Sequence, residues 1–384
     1  MKLEPVVGDD PRQILRALRS ALHGAGPALG LGMVHGFPSE VRPGTAVVVT
    51  TSGSTGVPKS VVLSRDALTA SALATADRIG DGAWLLALPA SYVAGLQVLV
   101  RSLVADREPA ILSGSFTPQA FSAAALTMTS SVGGQRVPTY TSLVPAQLSK
   151  LLDAADHDPQ VLAALRSFER ILVGGQALPA ATLERAEAAG ARIARTYGST
   201  ETSGGCVYDG VPLRGVQVRI VRGEVQISGP TLADGYLGDR ESTDAVFLRE
   251  PDGTRWYRTG DAGLFEDGVL RVRGRIDNVI VSGGINISLD RVERIVRSVP
   301  GLDTAVVVGV PDERWGEASV IVASRGEALR RSEAVQLDEA RAAVQAEIGP
   351  HARPTRLVLV DELATLPSGK PDREAIRRAV AALH

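Results

Sequence analysis

The stretch Thr50–Ser60, TTSGSTGVPKS, gathers glycine, hydroxyl and lysine groups in one loop. Gly53 and Gly56 permit backbone angles closed to other residues and let main-chain N–H groups approach an anion. Pro58 stands where a Walker A loop has its second glycine, and proline has no N–H and a fixed φ. The loop is therefore either a phosphate loop of another design or a plain polar turn. Its hydroxyl and amino groups include those of Thr50, Thr51, Ser52, Ser54, Thr55 and Lys59.

Two further segments place oxygen ligands and glycines in a similar setting. Tyr197–Thr202, YGSTET, holds the carboxylate of Glu201 among hydroxyl groups. Carboxylate oxygen is a ligand that Mg²⁺ prefers, and Thr200 could reach a phosphate. Gly174-Gly175-Gln176 follows a short apolar run, where nucleotides commonly bind in α/β sheets.

Three more polar segments follow towards the C-terminus. Tyr257–Asp261, YRTGD, puts a carboxylate after a glycine turn, which suits ribose hydroxyls. Gly274–Asp277, GRID, lies at the proposed domain boundary, and Leu366–Arg373 sets Lys370 in a Pro/Gly loop. Each segment alone is weak evidence, because an exposed lysine in such a turn is usually only solvated. Together, and in this order, the segments form a pattern that is specific enough to compare with known protein families.

Composition excludes several function classes. The 384 residues carry 41 Lys and Arg against 43 Asp and Glu, so there is no basic excess for nucleic acid or anionic lipid. The single cysteine, Cys206, allows neither an internal disulfide nor a cysteine metal cluster, and we expect it to be a buried filler. The N-terminus lacks a signal-peptide pattern, and the apolar window Ala83–Val100 is broken by proline and polar residues. We expect a soluble, cytoplasmic protein with no membrane span.

The first half of the chain alternates short apolar strands with helices, which predicts an α/β fold with a largely parallel sheet. Ser64 is a candidate N-cap for a helix running to about Ile79. The other predicted elements are strands at Ala46–Thr51, Ser60–Leu63, Ala83–Leu88 and Arg170–Val173 and helices at Val93–Ala105 and Pro179–Ala189.

After about Val211 the sequence predicts a β-rich subdomain, and past Gly274 a compact α+β unit large enough to be a separate domain. We place the boundary at Arg275–Asn278, which gives domains 1–276 and 277–384. The predicted strands here are Gln217–Val221, Glu224–Ser228, Trp256–Thr259, Val269–Val272, Ala305–Val310, Ser319–Ala323 and Leu357–Val360, with helices at Ser288–Ser298 and up to Ile348.

In this order, the motifs resemble the ANL superfamily of adenylating enzymes, which includes acyl- and aryl-CoA synthetases, peptide-synthetase adenylation domains and luciferases. The resemblance runs from about Val47 to the C-terminus. TSGSTGVPKS is similar to the family's phosphate loop and departs from it only at Ser60, where glycine is usual. The resemblance implies a large N-terminal domain of mixed and parallel sheets with helices and a β-rich subdomain, followed by a small, mobile α+β domain.

The resemblance also implies ATP, Mg²⁺ and coenzyme A, and a role for each motif. Adenylation is an in-line displacement that needs positioning and charge neutralisation more than a general base. The implied roles are β- and γ-phosphate binding by Thr51, Ser52, Gly53, Ser54, Thr55, Gly56 and Lys59; adenine and α-phosphate binding by Gly174, Gly175, Gln176, Tyr197, Gly198, Ser199 and Thr200; Mg²⁺ binding by Glu201; ribose binding by Asp261 and Arg275; catalysis by Lys370; hinge rotation at Asp277; and a coenzyme A channel at Ser282, Gly283 and Gly284, for which a plain turn is the alternative.

The substrate acid is implied by other segments. Leu88–Leu96 resembles the acyl-site segment, with Tyr92 where many relatives have His or another aromatic, and it lacks the aspartate of amino-acid-activating domains. Tyr140–Leu148 and Thr202–Leu213 closely resemble the o-succinylbenzoate–CoA ligases of menaquinone biosynthesis in their compact actinobacterial form. We expect Arg195 to point away from the site. The expected pocket residues are Tyr92, Gly95, Tyr140, Ser142, Gly175, Gly204 and Gly205.

Two other hypotheses stay open at the level of sequence. One is a different acyl- or aryl-CoA ligase on the same scaffold. The other is a nucleotide-binding protein without ligase activity, which the retention of Lys370, Glu201 and Asp261 disfavours. The expected partners are small molecules, and a homodimer is left open.

Overall fold

The fold is taken from a computed structural model, and the structure describes residues 1–32, 38–51, 58–128, 131–325, 332–366 and 369–382. Five residues of the predicted phosphate loop lie outside these ranges: Ser52, Gly53, Ser54, Thr55 and Gly56.

Strands and helices alternate through most of the chain. The strands are β1 (Leu3–Pro5), β2 (Ala28–Leu31), β3 (Thr45–Thr51), β4 (Lys59–Ser64), β5 (Ala83–Leu86), β6 (Ala110–Ile111), β7 (Ser131–Val132), β8 (Gln135–Arg136), β9 (Thr139–Leu143), β10 (Arg170–Val173), β11 (Ile193–Ser199), β12 (Gly204–Tyr208), β13 (Val211–Pro212), β14 (Gln217–Val221), β15 (Glu224–Ser228), β16 (Gly235–Tyr236), β17 (Phe247–Arg249), β18 (Arg255–Glu266), β19 (Val269–Arg275), β20 (Val279–Ser282), β21 (Ile285–Ser288), β22 (Val306–Asp312), β23 (Gly316–Ser324) and β24 (Arg356–Val360). The α-helices are α1 (Pro11–Leu22), α2 (Arg65–Ile79), α3 (Val93–Val104), α4 (Pro118–Leu126), α5 (Pro145–Ala155), α6 (Pro159–Ser167), α7 (Ala180–Ala188), α8 (Arg240–Val246), α9 (Leu289–Val296), α10 (Glu333–Glu347) and α11 (Arg373–Ala381).

The strands form four larger sheets. One has the order β1-β2-β3-β4-β16, and a second has the order β13-β12-β11-β10-β9-β5-β6. The pairs among β11, β10, β9, β5 and β6 are parallel, whereas β3 and β4 pair antiparallel. The third sheet, β14-β15-β18-β17 with β19, is the β-rich part. The fourth, β21-β20-β23-β22 with β24, lies in the C-terminal part of the chain.

Alternation along β22 shows how the C-terminal sheet is covered on both faces. Val306, Val308 and Val310 pack with Ile376 and Val380 of α11. The intervening Val307 packs instead with residues of α9 and α10. Because successive side chains of a strand point to opposite faces, one apolar run supplies two buried surfaces. This sheet therefore has its own core, which supports Lys370 on the loop before α11.

The predicted α/β fold is confirmed, and several elements have the predicted bounds, including β10, β14 and β15. Ser64 is an N-cap, as expected, since its hydroxyl accepts a hydrogen bond from the Ala67 N–H at 3.1 Å. The elements β1, α1 and β2 were not predicted. The first sheet is also less parallel than expected, because β3 and β4 are consecutive strands joined by a short connection.

Candidate nucleotide and acid site

One flank of the predicted phosphate loop, Lys59, is connected to Glu201 through Tyr236. Thr51 and Lys59 face each other in the register of β3 and β4. The Lys59 ammonium lies 4.8 Å from the ring centroid of Tyr236, whose hydroxyl donates to Glu201 Oε1 at 2.9 Å. Burial raises the pKa of Tyr236, and the Glu201 carboxylate raises it further. The Tyr236 hydroxyl therefore stays protonated and can donate a hydrogen bond. Sequence reasoning missed Tyr236 because it is not part of any of the motifs.

Glu201 is the Mg²⁺ ligand that the sequence predicts. It lies in a short 3₁₀ turn, Thr200–Thr202, directly after β11, and its backbone carbonyl accepts from the Ala233 N–H at 2.8 Å. Among the described residues there is no group of three or more His, Cys, Asp or Glu side chains that could hold a metal ion. A single carboxylate suits Mg²⁺, which proteins usually hold through one or two carboxylates together with substrate phosphates and water.

The ribose side of the site is built around Asp261. The Tyr197 hydroxyl donates to Asp261 Oδ2 at 2.6 Å, which ties the end of β11 to the middle of β18. The Asp261 N–H donates to Thr259 Oγ1 at 3.0 Å. Burial raises the pKa of Asp261, and the hydrogen bond from Tyr197 opposes that shift. The carboxylate is thus held in one orientation before any ligand arrives.

Arg275 connects Asp261 to the predicted hinge. Its guanidinium donates to both carboxylate oxygens of Asp277, at 2.9 and 2.8 Å, and to the Thr259 carbonyl at 2.7 Å. It lies 3.5 Å from Asp261 Oδ1. The Asp277 carboxylate raises the pKa of Arg275, and Arg275 in turn lowers the pKa of Asp277. Two predicted ribose residues and the predicted hinge residue therefore share one hydrogen-bond network.

A second acid, which sequence reasoning missed, holds the backbone of this segment. Asp290 at the start of α9 accepts from the Arg275 N–H and from Asn278 Nδ2, both at 2.6 Å. A Cβ on Gly274 would lie 2.5 Å from the Asp290 Cβ, so the glycine is needed for this close approach. Asp290 is 15 residues from Arg275, and no local pattern links the two.

Lys370 is brought to the same place by its loop. The Leu366 N–H donates to the Lys370 carbonyl at 2.7 Å, which closes the loop at its base. The Lys370 Cε lies 3.2 Å from where a Cβ of Gly175 would be, so the lysine lies over the predicted adenine segment. Burial lowers the pKa of Lys370, while Glu201 and Asp261 oppose that shift. The structure therefore brings together four motifs far apart in sequence.

The end of the lysine loop is anchored in the C-terminal core. Arg373 donates to both carboxylate oxygens of Glu293, at 2.8 and 2.7 Å, and Glu293 also accepts from the Val307 N–H at 2.9 Å. Since Glu293 is buried, these bonds hold the start of α11 against α9.

The remaining predicted nucleotide residues surround the carboxyl ends of β10 and β11. A Cβ on Gly174 would lie 2.2 Å from Thr196 Oγ1, and one on Gly198 would lie 2.1 Å from the Gly204 carbonyl oxygen. Close packing between strands therefore requires glycine at both positions. Gln176 is half-buried after β10, and Ser199 and Thr200 follow Gly198.

The structure does not support Tyr140 as a residue of the acid pocket. Its hydroxyl donates to the Ile79 carbonyl at 2.8 Å, and its ring stacks on Trp84 with centroids 5.1 Å apart. Burial raises the pKa of Tyr140 to about 12. We assign Tyr140 to the core between β9 and α2. Ser142, two residues further along β9, is also buried.

The predicted pocket residues before and within α3 have different roles in packing. Tyr92 is the N-cap residue of α3 and is half-buried. A Cβ on Gly95 would lie 2.1 Å from the Pro89 carbonyl oxygen, so glycine lets α3 pack on its own preceding loop. The close approach of Gly95 to Pro89 therefore fixes where α3 begins, whereas the Tyr92 side chain makes no capping hydrogen bond.

Gly204 leaves room between β12 and α3, whereas Gly205 packs against Thr196 of β11, and two polar side chains of α3 face β12. Gln97 Cγ lies 3.2 Å from where a Cβ of Gly204 would be. Arg101, one turn further along α3, donates to the Tyr208 hydroxyl at 3.2 Å and lies 4.9 Å from the Trp84 ring centroid. Sequence reasoning missed both residues, although polar residues four apart in an apolar helix are a detectable signal.

Burial lowers the pKa of Arg101, and no carboxylate among the described residues lies within ion-pair distance of its guanidinium. The other arginine considered, Arg195, is on the surface, where its side chain pairs with Asp209 at 3.2 Å. Arg195 thus points away from the site, as expected.

The predicted coenzyme A segment forms a hairpin turn. Ser282 and Ile285 face each other in β20 and β21, and Gly283 and Gly284 between them have φ values of +57° and +80°. This is the turn geometry that glycine pairs favour in hairpins. Cys206 is fully buried, and burial raises its pKa to about 12, which agrees with the expected filler role.

Comparisons with known proteins identify the family of this chain. The family profile of AMP-binding enzymes matches residues 31–237, and the profile of the AMP-binding enzyme C-terminal domain matches residues 291–370. The chain belongs to the AMP-binding enzyme family. The first profile includes Thr51, Lys59 and Glu201 and the second ends at Lys370, while Asp261, Arg275 and Asp277 lie between the two.

Similar proteins within this family include ligases for 2-succinylbenzoate. The chain is 39% identical over 384 residues to a probable 2-succinylbenzoate–CoA ligase from Mycobacterium tuberculosis, covering 96% of this chain and 95% of the relative. A variant of E. coli MenE bound to OSB-AMS superposes with a TM-score of 0.70 at 26% identity, over 91% of this chain and 72% of that one. The Bacillus subtilis o-succinylbenzoate CoA synthetase, in complex with OSB-AMP, has the same fold, with a TM-score of 0.72 at 23% identity over 94% and 81% of the chains.

The described part of the chain contains no helix with the length and apolar character needed to cross a membrane.

Proposed function

We propose that this protein is an AMP-forming acid–thiol ligase that converts 2-succinylbenzoate to 2-succinylbenzoyl-CoA in menaquinone biosynthesis. In the first step the acid and ATP give an acyl-adenylate and pyrophosphate; in the second the adenylate and coenzyme A give the thioester and AMP. Membership of the AMP-binding enzymes and the similarity to 2-succinylbenzoate–CoA ligases support this proposal.

The residues of the nucleotide site bind and orient ATP. Asp261, held by Tyr197, accepts hydrogen bonds from ribose hydroxyls, and Arg275 keeps that carboxylate and the hinge together. The predicted adenine and α-phosphate residues lie around Gly175 and Thr200. The described flanks of the phosphate loop, Thr51 and Lys59, hold the pyrophosphate end, and Glu201 supplies a ligand for Mg²⁺, which neutralises phosphate charge when bound.

In the first step an oxygen of the acid's carboxylate attacks the α-phosphorus, and the bond to the pyrophosphate oxygen breaks. No general base is needed, since the carboxylate is already ionised. The Lys370 ammonium donates to the carboxylate oxygen and the α-phosphate, where negative charge accumulates. Its position over Gly175 supports the inference that this structure represents the adenylating conformation.

The observation that supports the identity of the substrate acid is the buried guanidinium of Arg101, which lacks an acidic partner among the described residues. This guanidinium is only 6% exposed and has no acidic partner in the described structure. A buried charge is costly unless it is paired, so the position favours a substrate that brings its own anion. 2-Succinylbenzoate has two carboxylates: the one on the chain reacts, and the one on the ring can pair with Arg101.

For the second step we propose that the small domain, residues 277–384, rotates relative to residues 1–276 about Asp277. This rotation withdraws Lys370 and brings Ser282, Gly283 and Gly284 to the thiol channel. A cytoplasmic location fits substrates such as ATP and coenzyme A, and the homodimer remains a prediction.

Acid-dependent pyrophosphate release with a panel of aryl and alkyl acids tests the proposal. We expect 2-succinylbenzoate to give AMP and a thioester, and medium-chain fatty acids and cinnamic acids to give far less. Release with a medium-chain acid but not with 2-succinylbenzoate would contradict the assignment of the acid while leaving the ligase chemistry intact.

A further inference from the structure

Helix α3 presents a row of side chains to strand β12. Val93, Gln97 and Arg101 are spaced four residues apart and therefore lie on one face of the helix. Val93 Cγ2 and Gln97 Cγ lie 3.9 and 3.2 Å from where a Cβ of Gly204 would be, and Arg101 bonds to Tyr208. The row thus runs along β12 from its start to its end.

Gln97 is the least satisfied side chain in this row. It is 1% exposed, and neither its amide nitrogen nor its amide oxygen has a hydrogen-bond partner in the described part of the chain. The buried Ser203 hydroxyl beside Gly204 and the Arg101 Nε are also without a partner there. Buried amides normally have partners, because an unsatisfied one loses its hydration without compensation. Three such groups around one stretch of β12 indicate a place completed by a ligand.

The positions along α3 match the order of polar groups in the acid. Gln97 precedes Arg101 by four residues, or about 6 Å of helix, and is nearer to the start of α3, which follows the carboxyl end of β5. In 2-succinylbenzoate the reacting carboxylate is followed by two methylene groups, then the ketone, and then the ring with the second carboxylate. With the ring carboxylate at Arg101, the ketone lies towards Gln97.

The chemistry of the two side chains matches the same order. A ketone oxygen is a neutral acceptor that pairs well with a neutral amide N–H, whereas a carboxylate pairs best with a guanidinium. Gly204 has a φ of +96°, and a Cβ there would lie 3.2 Å from Gln97 Cγ, so glycine leaves room for the Gln97 side chain. We propose that Gln97 is a specificity-determining residue that donates a hydrogen bond to the ketone oxygen of the substrate acid. This inference rests on the proposed function.

The test compares three acids in pyrophosphate release: 2-succinylbenzoate, its analogue with a methylene in place of the ketone, and 4-oxo-4-phenylbutanoate, which lacks the ring carboxylate. Wild-type kcat/KM should fall about tenfold from ketone to methylene, the loss expected for one hydrogen bond. Gln97→Leu should abolish this preference by losing activity on the ketone acid, with the methylene acid within about threefold of wild type.

Gln336→Leu is a matched control, because Gln336 is also a buried glutamine, 1% exposed, but lies in α10 of the C-terminal part. It should keep the tenfold preference. If thermal unfolding shows that Gln97→Leu is not folded, Gln97→Met fills a similar volume without an N–H donor and should give the same loss of preference.

Three results would overturn the inference while leaving the proposed function in place. The first is a wild-type enzyme that turns over the ketone and methylene acids equally well. The second is a Gln97 variant that keeps the ketone preference, and the third is a Gln97 variant that loses the preference for the ring carboxylate instead. Absence of any wild-type turnover of 2-succinylbenzoate would overturn both the proposed function and this inference.

Discussion

The ribose side and the acid side of the site differ in how their polar groups are satisfied. On the ribose side, Arg275 pairs with both Asp261 and Asp277, and the Tyr197 hydroxyl donates to Asp261. On the acid side, Arg101 has no acidic partner among the described residues. In the first region the polar side chains have their partners within the protein. In the second, polar side chains lack partners in the described part of the chain and can bind polar groups of a ligand.

This difference suggests where rigidity and selectivity reside. A network that is complete before ATP arrives costs little reorganisation when the nucleotide binds. Buried groups without partners discriminate strongly, because an acid that cannot pair with them leaves them unsatisfied. The ribose side should therefore respond to mutation through nucleotide binding and stability, and the acid side through the choice of acid.

The largest effect is expected for Lys370→Ala. Its ammonium group acts where charge develops, so adenylation should fall by about 10²–10³-fold, the usual loss for one such donor. Thioester formation from a supplied acyl-adenylate should stay within a few-fold of wild type. Single-turnover assays of each half-reaction make the comparison, with Lys370→Arg as the variant that keeps the charge. Equal loss of both steps would contradict the rotating-domain account.

A smaller effect is expected for Tyr197→Phe. The change leaves the buried Asp261 carboxylate without the donor at 2.6 Å, so the free energy of unfolding should fall by about 1–2 kcal/mol. The KM for ATP should rise about five- to tenfold, with the KM for the acid unchanged. Chemical denaturation and initial rates measure the two quantities. An altered choice of acid without a change in ATP binding would break the contrast between the two sides.

Arg101→Met should have a still smaller effect on stability. Removing a buried cation that lacks an acidic partner gives up its contacts with Tyr208 and Trp84 but also relieves the cost of burying charge. We expect the free energy of unfolding to stay within about 1 kcal/mol of wild type in the absence of substrate. A loss of several kcal/mol would show that Arg101 is a structural residue.

The pH dependence should be the mildest effect near neutrality. Lys370 must be protonated to stabilise charge, and burial lowers its pKa below the ordinary value of 10.5. Adenylation should therefore fall as pH rises through a value below 10.5, and Lys370→Arg should remove that fall. Pyrophosphate bursts recorded across this range test the expectation, and the same decline in the arginine variant would contradict it.

Much of the fold could be predicted because its elements carry local signals. The apolar alternation of β15 and the capping hydroxyl of Ser64 act within a few residues, and both predictions are confirmed. The three-residue strand β1 was missed because so short a segment has no periodicity. The antiparallel pairing of β3 and β4 follows from their short connection, because parallel strands need a crossover of a dozen or more residues, and the prediction of a largely parallel sheet did not use that length.

The site was predictable where function is concentrated in motifs and unpredictable where it depends on distant partners. Glu201, Asp261 and Lys370 each belong to a motif, and the structure brings them together. Asp290 and Tyr236 have no such context, and only the folded chain shows what they bond. Tyr140 was placed in the pocket because its segment resembles the ligases, but its hydroxyl is used by the Ile79 carbonyl.

The contrast between the two sides is tested most directly by the coupling between Arg101 and the ring carboxylate. Four kcat/KM values are needed, for wild type and Arg101→Met with 2-succinylbenzoate and with 4-oxo-4-phenylbutanoate, and Arg195→Met serves as the surface control. We predict that wild type favours the dicarboxylate by about 100-fold, as expected when a buried charge gains its partner, and that Arg101→Met removes this preference while Arg195→Met retains it. An unchanged preference in Arg101→Met would contradict the account.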